Sequence, residues 1–342
     1  MKASHLLLVT GLTLMLAGCS VFGGKRVGPQ KGEYWRAIHL LNFNNDKRLV
    51  ELSEKIPALA EKGINVIVLE VDYHLEFESH PELRSETCIT KAGAKKFAAL
   101  CREHDIRLVP QFQCLGHQSW AKNTFPLLTV YPELDLTPGA FPNNEGLYCR
   151  EWDVLNPRVN ELAFDLMDEI IDAFEVDAFH VGMDEIFLLG SEQSPSTKGK
   201  DPAVLFAKAV NDMYGHLVKK RHVEMLMWAD RFIDGNVYDF GKWEASVNGI
   251  APSIDMVPKD IIMCPWHYNK RESYPSIPMF LEKGFRVLPA SWHDVEASRM
   301  LIGYSIGRNN PNMLGHFFTT WGRAGDDVSQ YPPLANMDLL KK

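Results

Sequence analysis

The chain has 342 residues, with 44 acidic against 36 basic side chains and a formal charge of -8. An acidic balance without a basic stripe argues against a nucleic-acid partner, which needs positive charge gathered on one face. The five cysteines beyond Cys19 (Cys88, Cys101, Cys114, Cys149 and Cys264) show no CxxC or zinc-ligand spacing. An odd number cannot all pair, so no disulfide framework is implied.

At the N-terminus Lys2 precedes an apolar run over 6–16 that is too short to cross a bilayer as a helix, the pattern of an export signal. The run ends in Leu16-Ala17-Gly18-Cys19, which resembles the bacterial lipobox. The resemblance implies that residues 1–18 are removed and that Cys19 is lipidated, holding an exported protein to the cell envelope membrane. Ser20, in place of an Asp, implies the outer membrane. Residues 19–32, with Gly23, Gly24, Gly28 and Pro29, have the composition of a flexible tether. The folded body is expected over 33–342 as a single domain, a normal size for one α/β barrel.

Apolar runs of strand length recur at 36–41, 65–71, 107–112, 178–182, 223–228, 261–266, 286–291 and 314–320. They alternate with amphipathic stretches that predict helices, among them 46–62 and 158–174. Eight βα units predict an α/β fold of the (β/α)8 TIM-barrel type. The connection over 118–157 is long and rich in Pro, Asn and aromatic residues, which suits a loop of the binding face. No repeat, low-complexity tract or second domain is visible.

Barrel active sites lie at the C-terminal ends of the strands. After the fourth run stands His180-Val181-Gly182-Met183-Asp184-Glu185, two adjacent carboxylates where the chain leaves the sheet. Alone, such a pair also fits a solvated loop or a helix cap. Trp228, Trp266, Trp292 and Trp321 close runs five to eight. Each alone fits core packing; four at successive strand ends suit a site that packs sugar rings.

His180-x-Gly182-x-Asp184-Glu185 resembles the His-x-Gly-x-Asp-Glu signature of glycoside hydrolase family 20, the β-N-acetylhexosaminidases. Tyr34-Trp35-Arg36, Gly63-Ile64-Asn65-Val66, His80-Pro81-Glu82-Leu83, Val109-Pro110-Gln111 with Gly116-His117, and Tyr131-Pro132-Glu133-Leu134 resemble further family segments in the same order. The resemblance implies substrate-assisted retaining hydrolysis, in which the 2-acetamido oxygen of an N-acetylhexosamine substrate attacks the anomeric carbon. Glu185 is then the acid and base, and Asp184 orients the acetamido group. Arg36, His117, His180, Trp228, Asp230, Trp266, Tyr268, Trp292, Asp294 and Trp321 are the expected substrate-binding residues. The resemblance implies neither a metal nor an organic cofactor.

The chain departs from the family pattern in several places. Gln111 and Gln113 stand where the family has acids, and Trp292-His293-Asp294 replaces a Tyr-x-Asp, with Tyr268 a substitute for the phenol. Trp321-Gly322-Arg323 replaces a Trp-x-Glu. Two other readings stay open. His39, His74, His117, His180, His267, His293 and His316 lie near strand ends, as in metal-dependent barrel hydrolases, although no His-x-His or His-Glu-x-x-His occurs. A barrel that binds surface glycans without cleaving them is the other, since a fold does not guarantee activity.

Overall fold

The structure is a computed structural model and describes residues 27–323, 325 and 327–341. The export signal and Cys19 lie outside the described residues. Gly28 and Pro29 are buried, and Gly28 packs against Arg107 and the backbone of Asn65. The packed chain therefore begins before residue 33.

The eight expected strands are present: β1 (Trp35–Leu40), β2 (Val66–Glu70), β3 (Arg107–Cys114), β4 (Ala178–Gly182), β5 (Glu224–Trp228), β6 (Ile262–Cys264), β7 and β8 (Gly315–Thr319). β7 comprises Arg286–Val287 and Ala290–Ser291, two pieces separated where Pro289 supplies no N–H. All pairs are parallel and consecutive. β7 hydrogen-bonds β6 on one side and β8 on the other, and β8 pairs with β1. The sheet thus closes into a single-domain (β/α)8 barrel.

Strand alternation sorts side chains into two cores. Ala37, Val66, Val68, Val109, Ala178, Leu226, Ile262, Leu288 and Phe317 fill the barrel interior. Ile38, Ile67, Leu69, Leu108, Met225 and Met263, of opposite parity, face the helices. Inward positions at the start of the strands carry an ionic plug. Glu224 accepts from Arg107 Nη1 at 2.6 Å and from Arg286 Nη1 at 2.5 Å. Burial opposes the charge, but the two guanidinium groups hold the Glu224 carboxyl down to about 2.

The helix expected over 46–62 is two helices, Asp46–Ser53 and Ile56–Lys62. Pro57 lacks an N–H and its ring collides with the carbonyl four residues back, so one helix stops and another starts. The helix Pro157–Phe174 is as expected, with Leu162, Leu166, Met167, Ile170 and Phe174 buried against the sheet. The long connection after β3 contains the hairpin Ser119–Trp120 with Asn123–Thr124 and the short helix Pro126–Val130. Buried Arg150 clamps it, donating to Asn144 Oδ1 at 2.6 Å, to the Phe141 carbonyl at 2.5 Å and to Asp135.

Gly315, at the start of β8, has φ 147 and a Cβ there would fall on the Trp35 backbone of β1. Gly315→Ala should strain the seam that closes the barrel and lower stability by about 2–3 kcal/mol. Chemical denaturation of the two proteins measures it.

Candidate active site

The turn that carries the acidic pair is built by backbone geometry before any side chain acts. Gly182, Met183 and Glu185 all have positive φ (66, 70 and 53), so the chain doubles back as it leaves β4. A side chain at Gly182 would occupy the space of Gln113 from β3. Only glycine fits there. Positive φ in Met183 and Glu185 is strained, of order 1–3 kcal/mol each, and persists because neighbours fix the turn.

Those neighbours come from three elements. The Glu185 N–H donates to Asp230 Oδ2 at 2.9 Å, beyond β5. Asp230 also accepts from Arg231 Nε at 2.6 Å and from Trp266 Nε1 at 3.2 Å. Arg231 in turn donates to the carbonyls of Lys242, Trp243 and Ala245. From the loop after β3, buried Glu151 accepts the Phe187 and Leu188 N–H groups at 2.6 and 2.9 Å. Burial pushes the Glu151 carboxyl up to about 7, against the pull of those two amides.

Asp184 is buried and its Oδ1 accepts from the Gln113 amide. Glu185 is less buried, and its Oε2 accepts the Tyr148 O–H at 2.6 Å. His117 lies between the two, with Nδ1 3.4 Å from Asp184 Oδ1 and Nε2 3.2 Å from Glu185 Oε2. Burial opposes a charge on His117, yet Asp184 and Glu185 outweigh it and hold the imidazole up to about 9. When the ring is neutral, the Gln113 amide 2.9 Å from Nδ1 can donate to it and Nε2–H still points to Glu185. Burial pushes Asp184 up to about 7, opposed by His117 and aided by Glu185 and Asp230. Asp72, just beyond β2, is also raised by burial and by Glu70.

An aromatic wall stands on the β6 to β8 side. Tyr268 stacks on Trp266 (4.9 Å between centroids, 28° between planes) and lies 5.5 Å from Trp292. Trp321 Nε1–H donates to the Tyr268 oxygen at 2.6 Å, and Thr319 is its second hydrogen-bond partner. Burial pushes the Tyr268 phenol up, and Asp184 and Glu185 push further.

Other expected site residues fall elsewhere. Arg36 is the second residue of β1, of outward parity, and its Nε donates to the Gly63 carbonyl at 2.5 Å. It is at the opposite end of the barrel from the acidic pair and cannot hold the same sugar. Asp294 caps the helix Val295–Ile306, accepting the Glu296 and Ala297 N–H groups at 2.9 Å. Trp228 and His180 have the right parity but are fully buried, 4.6 Å apart, in the barrel interior. Of the seven histidines considered, His117 alone joins the acids; His267 is tied to Glu244 and Ser276, and His316 to Ser291. His117, Asp184 and Glu185 also form a group whose ligand atoms lie within 4.8 Å of one another. In this structure those atoms are engaged with one another, His117 Nδ1 with the Gln113 amide and Asp184 and Nε2 with Glu185. Sequence reasoning missed Tyr148, Glu151, Glu70, Asp72 and Arg231. Of these, Glu70 was legible as the inward-facing end of β2.

The pattern of the glycosyl hydrolase family 20 catalytic domain matches residues 46–294, more than half of the chain. The chain belongs to glycosyl hydrolase family 20. Among relatives, a beta-hexosaminidase of Emericella nidulans is 22% identical over 279 residues, covering 70% of this chain and 40% of that protein. Hexosaminidase D of Bos taurus is 24% identical over 178 residues, 48% of this chain and 47% of that one. The chain thus spans less than half the length of these relatives. In solved structures, the Flavobacterium johnsoniae chitobiase superposes with a TM-score of 0.65 at 18% identity over 89% of this chain and 47% of that one. Dispersin B superposes at 0.56 and 14%, over 91% of this chain and 98% of that one. The second match runs nearly end to end in both chains.

The raised Asp184 carboxyl sets a stability profile. Its folded value lies above the ordinary 3.8, so the stability linked to its proton is present below about 4 and lost as pH rises towards 7. Asp184→Asn should therefore be more stable than the parent at pH 8 by on the order of 2–4 kcal/mol. The gap should close by pH 4, as followed by thermal unfolding.

Proposed function

We propose that the protein is a retaining glycosidase that releases terminal β-linked N-acetylhexosamine by substrate-assisted catalysis. The observation that carries this reading is that each acid has one oxygen held by the protein and one without a partner among the described residues. Asp184 Oδ1 takes the Gln113 amide and Glu185 Oε2 takes Tyr148, which leaves Asp184 Oδ2 and Glu185 Oε1 for a substrate. Adjacent carboxylates on one turn suit a substrate that brings its own nucleophile, because no second carboxylate is needed on the far side of the bond. The hexosaminidase names of the relatives support the same substrate class.

In this mechanism the acetamido carbonyl oxygen attacks the anomeric carbon while Glu185 gives its proton to the leaving oxygen. Asp184 accepts the acetamido N–H and stabilises the oxazolinium charge. Water then attacks the anomeric carbon from the vacated side and Glu185 takes its proton. Tyr268, held by Trp321 and Thr319, serves in this mechanism as the phenol that binds the acetamido oxygen, the role of the tyrosine missing at Trp292. The lipobox-like Cys19 supports an exported enzyme anchored by lipid to the outer membrane, with the barrel acting on glycans outside the cell.

Aryl β-glycosides with and without the 2-acetamido group test the mechanism. The acetamido substrate alone should turn over, and Asp184→Asn and Glu185→Gln should each cut kcat by about 10²–10⁴. Equal turnover of both substrates rejects substrate assistance, and loss of activity to a chelator would favour a metal. For the anchor, Cys19→Ser should move the protein from the membrane fraction to the soluble one, as seen by immunoblot.

A further inference from the structure

Glu185 is reached by a residue that comes from neither the barrel nor the family signature. Tyr148 belongs to the long loop after β3, and its O–H donates to Oε2 at 2.6 Å. His117 Nε2 stands 3.2 Å from the same oxygen. An oxygen that receives two donors is an acceptor, so a proton on Glu185 resides on Oε1, the oxygen without a partner among the described residues. Tyr148 is also part of an aromatic surface. Its ring lies 4.9 Å from Trp243 and 6.0 Å from Trp120, and Phe187 lies 5.5 Å from Trp243. Trp120 and Trp243 are 58% and 41% exposed, unusual for tryptophan. Tyr148, Phe141, Leu147, Phe187 and Trp243 line a cleft of about 270 Å³, room for roughly one ring.

Building on the glycosidase reading, we propose that Tyr148 is a positioning residue that assigns the Glu185 proton to Oε1, and that the cleft it walls seats the leaving group, a second pyranose or an aryl ring. As the glycosidic bond breaks, the Oε1–H bond breaks, a new O–H bond forms on the leaving oxygen, and the electron pair of the C1–O bond departs with that oxygen. The negative charge left on Glu185 is received by the two donors already on Oε2. In the second half the proton returns from water to Oε1. Tyr148 transfers no proton, since burial and its bond to Glu185 push the phenol far above its ordinary value. The other titratable groups about Glu185 are Asp184, His117, Asp230 behind its N–H, Tyr268 across the mouth and the Cys149 thiol, which burial and the acids keep protonated. Of these His117 is the other donor to Oε2, so loss of the Tyr148 O–H leaves that oxygen one donor in place of two.

Tyr148→Phe keeps the ring and removes the O–H. On acetamido substrates with a poor leaving group, which needs the acid's proton, kcat of the variant should fall about tenfold, while a good aryl leaving group, which does not, should lose little. An equal loss on both, or no loss on either, overturns the role of Tyr148. For the cleft, a thio-linked N-acetylated disaccharide and the matching methyl thioglycoside are titrated by calorimetry. The disaccharide should bind more tightly, and Trp243→Ala should remove about tenfold of that preference. No preference in the parent protein, or one that Trp243→Ala leaves intact, overturns the leaving-group site. Absence of hydrolysis by the parent protein, with both binding results as expected, would instead reject the glycosidase reading.

Discussion

His117 stands between Asp184 and Glu185, and the chemistry of the site depends on that placement. Two carboxylates on consecutive residues repel each other in a partly buried site. Glu70, Asp72 and Asp230 add to the negative charge from β2 and β5. The imidazole offsets it with one nitrogen toward each acid. Gln113 becomes intelligible in the same terms. Where the family has an acid, this chain has an amide that donates to Asp184, and a carboxylate there would have crowded the pair further.

Strand alternation decides which residues can reach that mouth. In β1 the inward positions are Trp35, Ala37 and His39, so Arg36 points out and sits at the strand's start. The Arg36 motif matched the family in order but not in phase. Glu70 and Gln113 satisfy both conditions, inward parity and the last third of a strand. His180 satisfies only the first, and Trp228, the last residue of β5, is nonetheless fully buried against His180 and Phe317. All eight strands and the acidic turn were therefore legible from periodicity and one signature, while depth within the barrel was not, because it depends on register between strands distant in sequence.

The loops were the least legible part. Tyr148 and Glu151 lie in a segment with no period, and their places depend on how that segment folds on itself. Arg150, between Phe141, Asn144 and Asp135, makes that fold rigid enough to present Tyr148 on one side of the acids and Glu151 on the other. Asp294 shows the converse. Its place after a strand end suggested a sugar ligand, but two helix amides claim its side chain.

The acidic turn is held from both flanks, by Glu151 on the Phe187 and Leu188 amides and by Asp230 on the Glu185 amide. Such double support lets Met183 and Glu185 keep left-handed backbone that would relax elsewhere. It also links the reacting atoms to the wall beside them, since Phe187 belongs to the aromatic cleft and Arg231, which orients Asp230, holds the carbonyls of Lys242 and Trp243. Trp243 and Phe187 are thereby connected through Arg231 and Asp230, or through Glu151, to the backbone of the acidic turn. The acidic turn and the aromatic wall share one set of hydrogen bonds in this barrel, and those bonds come from the loops rather than from the strands.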